Sequence, residues 1–391
     1  MVYLAGDNSL DQAGVDDLAE MKKFGSTEQI NIVAQFDRQG PKVETCRYLI
    51  ARGSLRKKGE LGETDTGSPA VLIDFAKWAI NNYPAQHYML IIWNHGNGWE
   101  DDNFYLKARQ DLGPNIVKFR RALFRSTIKR ATRGIAYDDT SKDFLDNLEL
   151  KKVLKAVQKS LGRKLDVLGM DACLMSMVEI GYQLREHVGL TVASEHSEPD
   201  YGWPYDDILE KLNKKPEMSP RAFSSRIVRC YLDAWDSKSN VTLAACDLSK
   251  SEDLGHAIDE LAAELIPEIV NPAMRCAVLT ARVQAQSYYR PEYIDLYDFC
   301  GLIANHCSSE RIHAACINVQ QVIKKGHFVV ANGSRGSAVK NSHGVSIYFP
   351  EPASSVSGRI SPLYARNLEF AQKFRWAGFL TAWLKSLERP A

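Results

Sequence analysis

The chain has 391 residues, with 49 Lys and Arg against 48 Asp and Glu, for a net charge of +1. Apolar residues make up 45% and charged residues 25%, the proportions of an ordinary globular protein with a sizeable core and room for two or three domain-sized units. This balance gives no global basis for binding nucleic acid or an anionic membrane surface, and no apolar run approaches the roughly 18 residues of a membrane span.

The chain opens on a strand at Val2, without the basic and then apolar stretches of a secretion signal. Gly6-Asp7-Asn8-Ser9 has the look of a hydrolase serine motif, but no downstream His-bearing partner motif accompanies it. Strand-like runs follow at 30–36, 45–50, 88–93, 165–169 and 190–194, and helical periodicity at 10–24, 69–82, 147–160, 174–187 and 205–213. This alternation predicts an α/β fold with a mostly parallel sheet, and near-continuous apolar runs such as MLIIW mark strands covered on both faces. Later strands are expected at 241–248 and 344–350, among mainly helical patterns at 250–266, 292–325 and 361–386. The expected organisation is a core over 1–250 and a largely helical region over 251–391.

Residues 104–134 break the rhythm. They carry nine Lys and Arg residues, Lys107, Arg109, Arg120 and Arg121 among them, against the single acid Asp111. A connection of that length with little periodicity is uncommon in a compact domain and is usually functional. It has few aromatics and no nucleic-acid module signature, so a solvated basic surface is the plainer reading. The eight cysteines lack framework spacing and fit free thiols of a reducing, cytoplasmic compartment. Cys300, His306, Cys307, His313 and Cys316 have neither C-x2-C nor H-x3-H spacing, which argues against zinc.

Two strand ends carry reactive chemistry, and in open α/β sheets sites form beyond the carboxyl ends of strands. One apolar run ends at His95, followed by Gly96 and Gly98; the other ends at Asp171-Ala172-Cys173. A thiol at the start of the helical pattern from 174 would feel the positive end of the helix dipole. His95 and Cys173 supply a base and a nucleophile for acyl transfer, and the N–H groups of Gly96 and Cys173 could hold an oxyanion. Asp171, two residues before the thiol, would raise the thiol pKa unless a positive group faces it. A Lys or Arg of the protein could serve, or one of the substrate, and the second gives a physical reason for a pocket selecting basic side chains.

YLAGDNSLD (3–11), LGETDTGSP (61–69), NYPAQHYMLIIWNHGNGW (82–99), IAYDDTS (135–141), LGMDACLMSMVE (168–179), ASEHSEPDYGWPY (193–205), YIDLYDF (293–299) and GVSIYFP (344–350) follow one another along nearly the whole chain. In that order they resemble the clostripain-like cysteine peptidases, relatives of caspases, legumains and gingipains. The resemblance implies a caspase-like αβα sandwich, with Cys173 as nucleophile and His95 as general base or acid. It places Asp171 in the pocket for the residue before the cleaved bond; the segment 193–205, with Glu195, Glu198 and Asp200 after a strand end expected beside the Cys173 strand, reads as a wall of that pocket, Asp200 being a lesser candidate for the basic side chain. The expected partners are therefore peptides and proteins with Arg or Lys at that position. It also implies a single-chain precursor, which gives 104–134 a purpose as the enzyme's own target, cut after Lys107, Arg109, Arg120 or Arg121. No cofactor is required for this chemistry. Some relatives need calcium, and Glu100-Asp101-Asp102 and Asp138-Asp139 are acidic clusters without EF-hand spacing. Asn97 stands where a second Gly often follows the first, and the family leaves secretion open. A catalytically silent binding module and a cysteine amidase for small cationic substrates are the alternative functions.

Overall fold

A computed structural model describes residues 1–40, 42–99, 135–351 and 360–387. The basic residues Lys107, Arg109, Arg120 and Arg121, and the acidic run Glu100-Asp101-Asp102, lie outside the described residues. Among the described residues thirteen strands run in chain order: β1 Val2–Gly6, β2 Val33–Arg38, β3 Cys46–Ala51, β4 Ser54–Glu60, β5 Met89–Trp93, β6 Ile135–Asp138, β7 Asp143–Leu145, β8 Leu165–Asp171, β9 Val188–Ala193, β10 Val241–Asp247, β11 Tyr293–Asp295, β12 Val329–Arg335 and β13 Ser346–Tyr348.

Nine of them form one sheet in the order β12-β10-β9-β8-β5-β1-β2-β3-β4. The five central strands, from β9 to β2, pair in parallel. Antiparallel strands extend both flanks. Alternation along the strands splits the core. On β1, Tyr3 and Ala5 join the apolar cluster of one face, while Val2 and Leu4 join that of the other. The first face is covered by the helices Pro69–Asn82, Asn147–Leu161 and Val178–Leu184 and by the C-terminal helices; the second by Asp11–Phe24, Tyr205–Lys214 and Pro220–Ala234. The expected αβα sandwich with a mostly parallel sheet is therefore present.

Local chemistry sets the element ends. The Asn147–Leu161 helix starts at a reciprocal capping box, Asp146 accepting from the Glu149 N–H while the Glu149 carboxylate accepts from Asp146 N–H. Pro220 at the first turn and the Ser219 cap start the next long helix on the other face. Two differences from the sequence-based expectation bear on the site. The sheet draws a strand, β12, from beyond residue 250, where mainly helix was expected. Also, the helix expected from 174 begins only at Val178. Residues 344–350 contribute β13 to a separate two-stranded sheet with β11, which docks on the chain after Cys173 through Ser346 N–H to Ser176 O at 3.0 Å.

Candidate active site

The site is built by neighbouring parallel strands. In the β5–β8 register, Trp93 lies opposite Asp171. His95 and Cys173 each follow two residues later, so the register alone brings the two strand ends that carry them side by side. Gly96 closes the gap: a Cβ there would sit 2.5 Å from Cys173 O and 3.2 Å from Cys173 N. Only glycine permits that approach, and it leaves the Gly96 and Cys173 backbones adjacent, as an oxyanion pocket needs. Leu174, next after the thiol, adopts φ +64°, a left-handed conformation unusual for a non-glycine residue and a sign of a tightly constrained turn.

The His95 ring is held by Ser9, whose Oγ lies 3.1 Å from Nε2. Asn94 fixes the strand end beside it, its Nδ2 donating to Ala5 O and Tyr137 O. Burial lowers the His95 pKa, opposed by the charges of Asp200 and Asp139, so the imidazole favours the neutral form that accepts a proton. Asn97, the departure from a second glycine, is tied in place: its side chain accepts from Arg290 Nε at 3.1 Å and its carbonyl from Tyr293 OH at 2.9 Å. The loop after His95 is thus buttressed from the C-terminal third of the chain.

Cys173 departs from the expected electrostatics. It lies in a turn five residues before the Val178 helix, beyond the first-turn range of a helix dipole. Burial pushes the thiol pKa up, with Asp171 and Asp200 adding to the rise. Its Sγ accepts from the Glu198 N–H at 3.2 Å. The raised pKa favours the protonated thiol, held by the Glu198 backbone.

Beside the thiol lies the buried Asp171, with two further acids, Glu198 and Asp17, close enough to feel its charge. Asp171, 4% exposed, accepts from Tyr205 OH at 2.8 Å and from Trp203 N–H at 3.3 Å. The Glu198 carboxyl faces it with both oxygens buried, and burial together with the Asp171 charge pushes its pKa well up, so that it favours the protonated form beside Asp171. Asp17, from the second-face helix, has a buried Oδ2 without a partner. Burial pushes Asp171 up to about 6 and Asp17 up to about 9, the latter with help from Asp171. None of the three forms an ion pair among the described residues. Gly202, at φ +56°, brings its Cα close enough that a Cβ would stand 3.1 Å from the Asp171 oxygens. Asp200 is exposed nearby, and its charge reaches both His95 and Cys173.

The 193–205 segment, read from sequence as a pocket wall, therefore divides. Glu195 turns away and is consumed in structure, accepting from Tyr288 OH at 2.7 Å and Gly344 N–H at 3.0 Å. Glu179 is likewise structural, accepting from Tyr348 N–H and Tyr364 OH, both at 2.9 Å. Ser9 and Asp17 were not among the candidate site residues, and Glu198 was read only as part of that wall. The GDNS segment was the signal for Ser9; an acid in a helical pattern gave none for Asp17.

A mostly parallel sheet between two helical layers, with a histidine and a cysteine on adjacent strand ends, is a caspase-like α/β architecture. Residues 2–111 and 122–383 match the clostripain family, peptidase C11, and the chain belongs to that family. Clostripain of Hathewaya histolytica is 25% identical over 321 residues, covering 68% of this chain and 56% of that protein. The chain thus spans little more than half the length of this curated relative. A secreted C11 cysteine protease from Bacteroides thetaiotaomicron, solved with an irreversible peptide inhibitor, matches with a TM-score of 0.65 at 19% identity, over 94% of this chain and 96% of that one. An inactive zymogen C11 protease from Parabacteroides distasonis gives 0.65 at 17% identity, over 95% and 96%. At these identities the structural likeness establishes the fold.

Proposed function

We propose that the protein is a cysteine endopeptidase that cleaves after Arg or Lys and processes itself within 104–134. The observation that carries this reading is Asp171, buried two residues before the thiol and flanked by Glu198 and Asp17, with no ion pair to any of the three among the described residues. Uncompensated buried carboxyls are costly unless protonated or paired. A substrate guanidinium or ammonium supplies the missing charge and places the adjoining carbonyl at Cys173.

The chemistry then needs only the thiol, the imidazole and water. Neutral His95 takes the Cys173 proton as the sulfur attacks the scissile carbonyl, and the N–H groups of Gly96 and Cys173 stabilise the oxyanion, roughly 3–4 kcal/mol for a good donor. His95 returns the proton to the leaving amine, which departs from an acyl-enzyme. Water, deprotonated by His95, attacks the thioester and releases the acid and the free thiol. Release of Cys173 from the Glu198 N–H precedes attack, which fits a precursor activated by cleavage. Lys107, Arg109, Arg120 and Arg121 are the processing candidates.

The test pairs fluorogenic peptides carrying Arg or Asp before the reporter, assayed with wild type and Cys173→Ala. Turnover of the Arg peptide alone, lost in the variant, is expected. Intact mass should show cleavage in wild type and a full-length variant. Turnover of neither peptide by protein already cut within 104–134, or equal turnover of both, would overturn the reading.

A further inference from the structure

Two other buried acids meet where the wall of the active site joins the C-terminal third of the chain. Glu195 follows β9 and Asp295 ends β11. They are 1% and 0% exposed. Both lie in segments singled out in the sequence, ASEHSEPDYGWPY and YIDLYDF, and the chemistry at Cys173 uses neither.

The donors around the pair do not suffice for two carboxylates. Tyr288 OH lies 2.7 Å from Glu195 Oε1, 3.1 Å from Ser342 Oγ and 3.4 Å from Asp295 Oδ2, and its single hydrogen serves one of them at a time. Asp295 is the better supplied, accepting from His343 N–H at 2.6 Å and Asp298 N–H at 2.7 Å, with His343 Nδ1 at 3.1 Å. Besides the tyrosine, Glu195 has Gly344 N–H at 3.0 Å. Two carboxyls gathered on one hydroxyl away from water cannot both be charged without a large cost, and one proton between them removes it. That proton falls to Glu195, the less supplied of the two. Burial, with the Asp295 charge adding to it, pushes the Glu195 pKa well up.

The other titratable groups facing the pair are Cys246 on β10, Asp298 in the first turn of the Leu296–His306 helix, His343 and His196. Burial lowers the His196 pKa. Burial also works against a charge on His343, but the contact with Asp295 outweighs it and raises the pKa.

The residues on either side of Glu195 hold the turn of the nucleophile. Ser194 O accepts from Ser176 N–H at 2.9 Å, and His196 O from Leu174 N–H at 3.1 Å. Gly344, whose N–H binds Glu195, takes Ser176 Oγ on its carbonyl at 2.8 Å. We infer that Glu195 and Asp295 share one proton and together position the turn that carries Cys173, which makes Glu195 a positioning residue for cleavage. This role rests on the peptidase reading; the shared proton does not. Loss of the proton sets two negative charges against each other in a site sealed from water. The repulsion then falls on segments 194–196 and 342–344, which fix the turn.

Thermal melts of Cys173→Ala protein, with and without Glu195→Gln, test the proton. Folding raises the Glu195 pKa, so the stability it contributes is complete below the ordinary carboxylate value and is lost as pH rises through the raised one. Glutamine keeps an acceptor for Gly344 N–H and a permanent donor toward Asp295. Between about pH 5 and pH 9 its Tm should gain on the parent by about 2 °C or more. A difference that stays constant with pH overturns the shared proton. Steady-state kinetics on the Arg peptide test the positioning. Toward alkaline pH, wild-type kcat should fall more steeply than that of Glu195→Gln, the titrations of Cys173 and His95 being common to both. Glu195→Ala should lower kcat roughly tenfold or more with little change in KM, and glutamine should restore most of it. Alkaline profiles of the same shape, or a loss confined to KM, overturn the positioning role while the melts decide the proton. If Glu195→Ala does not fold, the glutamine profile decides alone. A folded wild type that turns over no peptide overturns the peptidase reading and the positioning role together, again leaving the proton to the melts.

Discussion

Asp171→Asn is the change that separates charge recognition from folding. The asparagine keeps the shape and can still accept from Tyr205 OH and Trp203 N–H, while its new Nδ2 faces the Glu198 carboxyl. A substrate guanidinium about 4 Å from a carboxylate gains about 4 kcal/mol at an effective dielectric near 20. Desolvation takes back part of that, leaving about 2–3 kcal/mol, or roughly a 30- to 150-fold loss of kcat/KM on an Arg peptide. A matched citrulline peptide, neutral but of nearly the same shape, should be almost unaffected. Stability should move the other way. Burial holds the Asp171 carboxyl above its ordinary 3.8, at about 6, so its contribution to stability is complete below pH 3.8 and is lost as pH rises through about 6. The displacement corresponds to about 3 kcal/mol at pH 8. Asparagine does not titrate and escapes that loss, so the variant's Tm at pH 8 should exceed wild type by about 3–4 °C and converge with it near pH 4. The assay is kcat/KM on the Arg and citrulline peptides beside thermal melts at both pH values. A well-folded Asp171→Asn that keeps the wild-type Arg-to-citrulline ratio would refute the assignment of Asp171 to the basic side chain.

Ser9→Ala removes the hydroxyl on His95 Nε2, and loss of one hydrogen bond worth about 1 kcal/mol should lower kcat roughly fivefold with little change in KM; steady-state kinetics on the Arg peptide checks this. In the uncut chain, burial raises the Cys173 pKa, so iodoacetamide at pH 8 should label the exposed Cys276 well before Cys173, as peptide mass mapping would show. Glu179→Ala would leave Tyr348 N–H and Tyr364 OH buried without acceptors, a cost of about 2–4 kcal/mol that should appear as a Tm lower by several degrees.

The apolar run MLIIW stops at the residues before His95, and VLGM stops at Asp171, so the sequence located both site-bearing strand ends. Its periodicity also foretold the layered α/β plan, because a strand covered on both faces has to be apolar throughout. Strands without that signal escaped notice. β4, SLRKKGE, is a charged edge strand, and edges need no apolar face. β12, VVANGSR, is half polar and closes the opposite edge. The Cys173 helix dipole failed as an argument for a similar reason. Helical spacing of apolar residues starts at Leu174, but a left-handed turn and a bridge from Met177 to Ser346 delay the helix to Val178.

What the sequence determined by itself is the local chemistry: a thiol and an imidazole at strand ends, a glycine directly after the imidazole, and a carboxylate two residues before the sulfur. Pairing them was a tertiary decision, because β5 and β8 are separated by a long stretch of chain and only the sheet order makes them neighbours. The same holds for charge. Each acid in the chain reads as a solvated surface group until folding removes it from water. Only the packed structure shows Asp171 buried beside Glu198 and Asp17, and carboxylate oxygens of Asp7, Asp37, Glu63 and Asp138 within 4.8 Å of one another. Burial changes what these carboxylates cost, since the energetic cost of a charge depends on what surrounds it and not on where it falls in the chain.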